Sequence, residues 1–321
     1  MGRMISSDDR RARGKARATS LFDLAEMPFR RFLYGLSPFL LVQYNSLKLR
    51  GRPFRPRKAR TFEDKLLWLM LYWRAPLKTT CADKYAVRAY VTGQGRGHLL
   101  PGLFGVYSSS SEIDFSRLPK RFVLKCTHGS GFNLFCRDKD RFDIPGAVKK
   151  LDHWMKADLS RINGEVHYAS IKPRIICETL LEGQPDSPID DYKVYCFDGR
   201  PHCVMACTER DTGRAKFDFY DPEWTEKLAY CRSSLSAGRN IPRPGALEEI
   251  IEAAGVLSKP FPFVRVDFYS IHDRAVFGEM TFTPNGCIDL DLTDLAQDTM
   301  GDLIRLPPKV LGRALRPPAT T

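Results

Sequence analysis

The 321-residue chain contains no uninterrupted apolar run of the ~18 residues that a membrane-spanning helix needs, so no transmembrane span is expected. Residues 1–20 are polar and basic and lack an apolar core, so no secretory signal is expected either. The nine cysteines, at 81, 126, 136, 177, 196, 203, 207, 231 and 287, form no Cys-x-x-Cys pair. That argues against a zinc site or a disulfide framework and for buried, reduced thiols in a cytoplasmic protein. Cys203 and Cys207 share one face of a strand, but with no histidine pair nearby they read as core. There is no Gly-x-Ser-x-Gly elbow, no His-Glu-x-x-His, no Gly-x-Gly-x-x-Gly and no kinase catalytic loop. The sequence signatures of serine hydrolases, zincins, Rossmann enzymes and protein kinases are therefore missing. No internal repeat is visible.

Basic charge is also missing from most of the chain. Residues 1–60 hold fifteen Lys/Arg against four Asp/Glu, and the other 261 residues hold 35 against 34. The net charge of +12 therefore belongs to the leading segment. A nucleic-acid-binding fold carries its basic face on the folded domain, so no nucleic-acid partner is expected. A basic arm meeting an anionic partner or the inner face of a membrane fits better, and for residues 1–19 the plainer reading is a solvated tail.

Residues 20–48 have the periodicity of one or two amphipathic helices broken near Gly35–Pro38, and 49–60 form a basic, proline-interrupted connector. Thr61 with Asp64 three positions on opens a buried helix. A second helix is expected over Cys81–Gly93, with Lys84 and Arg88 on one face. Residues 121–137 read as two strands flanking a Thr-His-Gly-Ser-Gly turn, with His128 exposed at its tip. A helix over 145–160 and a buried strand over Lys172–Leu181 follow. Tyr192–Phe197 and Pro201–Thr208 form a hairpin over Asp198-Gly199. Residues 209–245 read as loop that helps shape an acceptor pocket. Leu247–Leu257 is a helix, and 290–312 a short helical end. Frequent hairpins with irregularly placed helices predict an α+β fold built on antiparallel sheets.

The most informative stretch is 261–283. Two apolar runs, Phe263–Tyr269 and Ala275–Phe282, each carry one carboxylate, Asp267 and Glu279. The link Ser-Ile-His-Asp-Arg suits a hairpin turn, which sets the two carboxylates side by side. Two acids in apolar strands repel and resist burial unless a cation or donor neutralises them. Mg²⁺ shared with substrate phosphates is one solution. The plainer one is Asp267 or Glu279 paired with Arg265 and the other at a solvated edge. Lys125 precedes the Gly129-Ser130-Gly131 turn, where backbone N–H groups and a lysine can meet an anion. An ordinary hairpin turn is the alternative. Glu178, inside IICETLL, needs a donor such as an arginine or an adenine amino group, or else faces water from an edge. Lys193 would share an aromatic sheet face with Tyr195 and Phe197, reaching an anion or snorkelling to solvent.

In order, Thr61-Phe-Glu-Asp-Lys65…Trp68, Asp83-Lys84-Tyr85…Arg88, Leu118-Pro119…Phe122-Val-Leu-Lys125, Asp191-Tyr-Lys-Val-Tyr-Cys-Phe-Asp-Gly199 and Arg265-Val-Asp-Phe-Tyr269…Gly278-Glu279 resemble the TupA-like group of ATP-grasp enzymes, over about residues 55–290. The resemblance implies two antiparallel-sheet subdomains clasping ATP and Mg²⁺. The implied division is a basic extension (1–60), a helical region (61–118), a lid (119–181), a large subdomain (182–312) and a tail (313–321). It implies that Arg88, Lys125 and Gly129–Ser130–Gly131 meet phosphates, and that Glu178, Leu180 and Glu182 meet adenosine. Lys193 and Arg265 would be catalytic. Asp267 and Glu279 would bind Mg²⁺. The usual closing Glu-x-Asn is absent: Thr281 stands at the Asn position, and Asn285 is the candidate for third ligand. The implied activity is an ATP-dependent carboxylate–amine ligase on an acidic sugar, amino acid or glycan, in decoration of a capsular or cell-surface polysaccharide. Kinase-type phosphoryl transfer and a non-catalytic protein working through its basic arm are the alternatives.

Overall fold

The computed structural model describes residues 26–158, 160–182, 189–209 and 215–308; residues 1–19 and 313–321, read above as tails, lie outside them. Helix α1 (residues 26–36) ends at Ser37, whose hydroxyl accepts from the Phe39 amide and starts α2 (Pro38–Arg50), with Pro38 in the first turn. The two run antiparallel, joined by Phe29 against Tyr44 and by Lys48 against Glu26. Residues 26–60 therefore pack on the body: Arg50 is buried between Glu63 and Asp64, and Gln43 exchanges hydrogen bonds with the Phe54 backbone.

Thr61 caps α3 (Phe62–Tyr72) by accepting from the Asp64 amide. The single helix expected over 81–93 is instead α4 (Pro76–Ala82) and α5 (Ala86–Gly93). Asp83 breaks it. Its carboxylate accepts from the Tyr85 and Ala86 amides, which favours a turn over helix continuation. Lys84 consequently lies in that turn and not on a helix face beside Arg88.

A four-stranded sheet follows, ordered β1 (Leu103–Tyr107), β4 (Ile175–Glu178), β2 (Phe122–Cys126), β3 (Asn133–Cys136), all antiparallel. Its first strand lies upstream of residue 119. Phe122, Leu124, Cys126, Ile175 and Cys177 pack with Leu151 of α6 (Ile144–Met155). Alternation turns Lys125 and Glu178 to the other face. His128, expected at an exposed tip, is buried against Phe132 and hydrogen-bonded to the Trp154 carbonyl, because the turn folds back over α6. The short α7 (Ser160–Asn163) leads toward β4.

The larger sheet has six strands, led by β10 (Arg274–Thr281), β9 (Phe263–Ile271), β5 (Asp191–Phe197) and β6 (Arg200–Thr208). Strands β7 (Lys216–Tyr220) and β8 (Lys227–Leu228) complete it from a segment read as loop. The β5–β6 turn is Asp198-Gly199, both at positive φ. The β9–β10 turn is only His272-Asp273, at φ 50° and 56°, so it is tighter than the five-residue link suggested. One face of the sheet packs on α8 (Leu247–Ser258) through Val194, Val264, Val266 and Phe268. The other packs on α3 and α9 (Asp294–Leu303) through Tyr195, Phe197, Phe263 and Met300. All nine cysteines are free, and all but Cys231 are buried.

Candidate active site

Register in the larger sheet builds a row of charge. Lys193 on β5 stands opposite Asp267 on β9, which stands opposite Glu279 on β10. The next row along is Tyr195, Arg265 and Thr281. A bulge between Phe277 and Glu279 keeps Phe277 and Met280 on the core face and returns Glu279 and Thr281 to the charged one. Glycine is required there. A Cβ on Gly278 would lie 2.9 Å from the Asp267 carbonyl oxygen and 3.3 Å from the Tyr269 ring. Gly278→Ala is accordingly expected to lose ~1–3 kcal/mol of stability, measured by denaturant unfolding, as β10 moves off β9.

Both Asp267 oxygens accept hydrogen bonds: Arg265 donates from Nε and Nη2 at 2.7 Å each, and Lys193 Nζ donates at 2.9 Å. Lys193 also donates to Asp191 at 2.7 Å. The plainer reading of this hairpin is therefore half met, since Asp267 does pair with Arg265, yet Glu279 is not left at a solvated edge by itself. Burial alone would lower the Lys193 and Arg265 pKa values, but Asp267 reverses this, and both are raised. Glu279 accepts from Thr281 and lies 3.7 Å from Lys84 Nζ. Burial would raise its pKa, but Lys84, Arg265 and Lys193 together hold it at about 2. Its side chain keeps 39% exposure, so the ionised carboxylate is open to a ligand. Its stabilising contribution is complete above its ordinary 4.5 and is lost as pH falls through about 2.

The opposite wall is cationic. Arg88 Nη1 and Lys125 Nζ each donate to one oxygen of Glu178 at 2.8 Å. Glu178 is on an interior strand and buried, not on a wet edge. Lys84 Nζ donates to the Gly129 carbonyl at 2.6 Å, tying Gly129 of the Gly129–Ser130–Gly131 turn to the cleft. Lys84, Arg88, Lys125 and Glu178 line a cleft with Phe277 and Gly278 of β10, so the four-stranded sheet and the carboxylate hairpin face the same space. Leu180 is buried just past β4, and Glu182 pairs with Arg121 at 2.7 Å on the exposed rim. Asn285 is directed elsewhere, donating to Asp289 at 2.7 Å from a left-handed backbone position. Among the described residues no three His, Cys, Asp or Glu gather around one point.

Lys84 and Asp191 join the site without having been picked out for it. A further polar group beside the charged row was also missed. Thr283, two residues past Thr281, donates to Glu165, whose other oxygen accepts from Asn163 at 3.2 Å. Lys78 is buried with its ammonium over the Trp73 and Phe282 rings, at 5.4 and 5.9 Å. Burial pulls its pKa down to about 8. His167 is buried with neither ring nitrogen hydrogen-bonded among the described residues, and burial holds it neutral.

The residues fit a magnesium–triphosphate. Asp267 and Glu279 are hard oxygen donors side by side, and Lys84, Lys193 and Arg265 balance Asp191, Asp267 and Glu279 in charge. Phosphate oxygens would take up the lysines and release carboxylate lone pairs to the cation.

A family model described as TupA-like ATPgrasp matches residues 64–305. No curated protein matches the sequence. Among solved structures, D-alanine–D-alanine ligase from Bacillus anthracis shares 16% identity at TM-score 0.40, over 63% of this chain and 57% of that one. Its complex with ATP gives 14% and 0.44, over 70% and 65%. The Helicobacter pylori D-alanine–D-alanine ligase gives 14% and 0.41, over 77% and 69%. With its two antiparallel sheets facing one cleft and a family match running from α3 through α9, the chain belongs to the TupA-like ATP-grasp family.

Proposed function

We propose that this protein is an ATP-dependent carboxylate–amine ligase. The observation that carries the proposal is the Lys193–Asp267–Glu279 row, joined through the Lys84–Glu279 contact to a cleft lined by Lys84, Arg88, Lys125 and Glu178. A substrate carboxylate oxygen attacks the γ-phosphorus, the β–γ bridging P–O bond breaks, and ADP leaves. An amine nitrogen then attacks the acyl carbon, the C–O bond to phosphate breaks, and orthophosphate leaves with loss of an amine proton. Such chemistry needs alignment and charge compensation more than a protein nucleophile.

Arg88, Lys125 and Lys84 would hold the phosphates. Glu178, Leu180 and Glu182 would border the adenosine. Asp267 and Glu279 would hold Mg²⁺, whose charge would offset that of the phosphates. Arg265, fixed by Asp267, would steady the acyl phosphate or bind the substrate carboxylate, with Lys193 neutralising the transferred phosphoryl group. The proposed substrate is an acidic sugar, amino acid or glycan, and the proposed setting is decoration of a capsular or cell-surface polysaccharide in the cytoplasm.

Hydroxylamine tests the reaction class. With Mg²⁺, ATP and a panel of sugar acids and amino acids, at least one acid should give a hydroxamate together with ADP. A stable phosphorylated product without hydroxamate would replace the ligase with a phosphotransferase.

A further inference from the structure

Helix α1 is turned inside out for a soluble protein. One of its two arginines goes in: Arg30 is 8% exposed, donating to the Ile162 carbonyl and paired with Glu26, beside buried Tyr34. Leu33 and Tyr34 pack inward with Leu41 and Val166, but three large apolar residues go out: Phe29, Phe32 and Leu36 are 47%, 60% and 58% exposed. Their spacing of three and four puts them on one helical face. On α2, which lies antiparallel to α1, Leu40, Leu47 and Leu49 are exposed as well. A surface helix ordinarily does the reverse, so this face is built for an apolar surrounding.

The charges around it say which surrounding. Arg31 lies between Phe29 and Phe32, Lys48 lies between Leu47 and Leu49, and both are exposed. The connector adds exposed Arg55, Arg57, Lys58 and Arg60, while Arg52 is paired with Asp64. The single carboxylate in residues 26–60 is Glu26, which is engaged by Lys48 and Arg30. Exposed aromatic and leucine side chains interleaved with cations, and no exposed carboxylate in that segment, match the headgroup zone of an anionic bilayer. Each basic residue near such a surface contributes ~1 kcal/mol, so several together with a shallow apolar insertion suffice for peripheral binding. No described helix is long and apolar enough to cross a membrane, so the contact is with the surface.

We propose that the outer face of α1 and α2, centred on Phe29, Phe32 and Leu36, docks this protein on anionic lipid. The inference is independent of the ligase reading.

Vesicle co-sedimentation of the full chain tests it, with phosphatidylcholine alone and with added phosphatidylglycerol. Wild type should pellet with the anionic vesicles, stay in solution with the neutral ones, and detach at high salt. Phe32→Ser/Leu36→Ser, at exposed positions, should melt like wild type and bind about tenfold more weakly. Arg31→Glu should also weaken binding. Three results would overturn the proposal: no pelleting of wild type, equal binding by the serine variant, or a wild-type dimer in solution that the serine variant dissociates. The second would assign lipid binding to basic residues outside this face, in residues 1–25 or the connector, and the third would make the face a contact between copies.

Discussion

Glu279→Gln should fold like wild type and lose ATP turnover by about 10²–10³-fold, whereas Asp267→Ala should scarcely fold. The two acids are cross-strand neighbours, yet their surroundings differ. Asp267 is buried and accepts three hydrogen bonds from Arg265 and Lys193. Removing it leaves two buried cations with hydrogen bonds to Asp191 and Thr281 and only the longer-range charge of Glu279 to replace the lost carboxylate. Breaking a buried ion pair in this way loses about 3–5 kcal/mol. Glu279 keeps an exposed side chain, and its neighbour Lys84 retains the Gly129 carbonyl, so the fold does not depend on it. Thermal melts read the first effect, and ADP release per folded molecule reads the second. A Glu279→Gln variant with full turnover, or an Asp267→Ala variant as stable as wild type, would contradict this division of labour.

Lys78→Met should make the protein more stable near neutral pH. The lysine is 3% exposed, with its ammonium over the Trp73 and Phe282 rings. Burial lowers its pKa to about 8 from 10.5. Below pH 8 the folded state carries this charge against its surroundings, and the penalty is present in full. Between 8 and 10.5 the folded protein has released a proton that the unfolded chain still holds, so stability from this group rises with pH. A shift of that size corresponds to about 3 kcal/mol, and losing the cation–π contacts with Trp73 and Phe282 takes back about 1 kcal/mol. The expected gain is therefore about 2 kcal/mol at pH 7, disappearing above pH 10.5. Denaturant unfolding of both proteins from pH 6 to 11 reads the sign directly, and a destabilised variant at pH 7 would show that Lys78 has a partner.

The carboxylate pair was legible because its signal is local. Two acids stand out in apolar strands, and a hairpin brings equivalent positions together. Arg265 was legible by alternation from Asp267, and Lys193 by the sheet face it shares with Tyr195 and Phe197. Strands β7 and β8 were not, because Lys216–Tyr220 is a short run inside a polar, loop-rich stretch and becomes strand by pairing with β6. The turn at Asp83 was hidden inside a good helix pattern, since a side chain capping two amides leaves no periodic trace. That turn decides where Lys84 points. His128 looked like a loop-tip residue, and only the fold of α6 beneath it explains its burial. Lys78 comes from α4, and Glu165 and His167 from a segment more than eighty residues on, and nothing short of the tertiary structure puts them together.

The central claim is a magnesium-dependent ATP site between the Glu178 wall and the Asp267–Glu279 hairpin. Isothermal titration of a non-hydrolysable ATP analogue, with and without Mg²⁺, on wild type and Glu279→Gln tests it most directly. The structure predicts binding to wild type that strengthens with Mg²⁺, and a variant that melts like wild type but has lost the strengthening. Failure of folded wild type to bind the analogue, or the same Mg²⁺ response in both proteins, would contradict it.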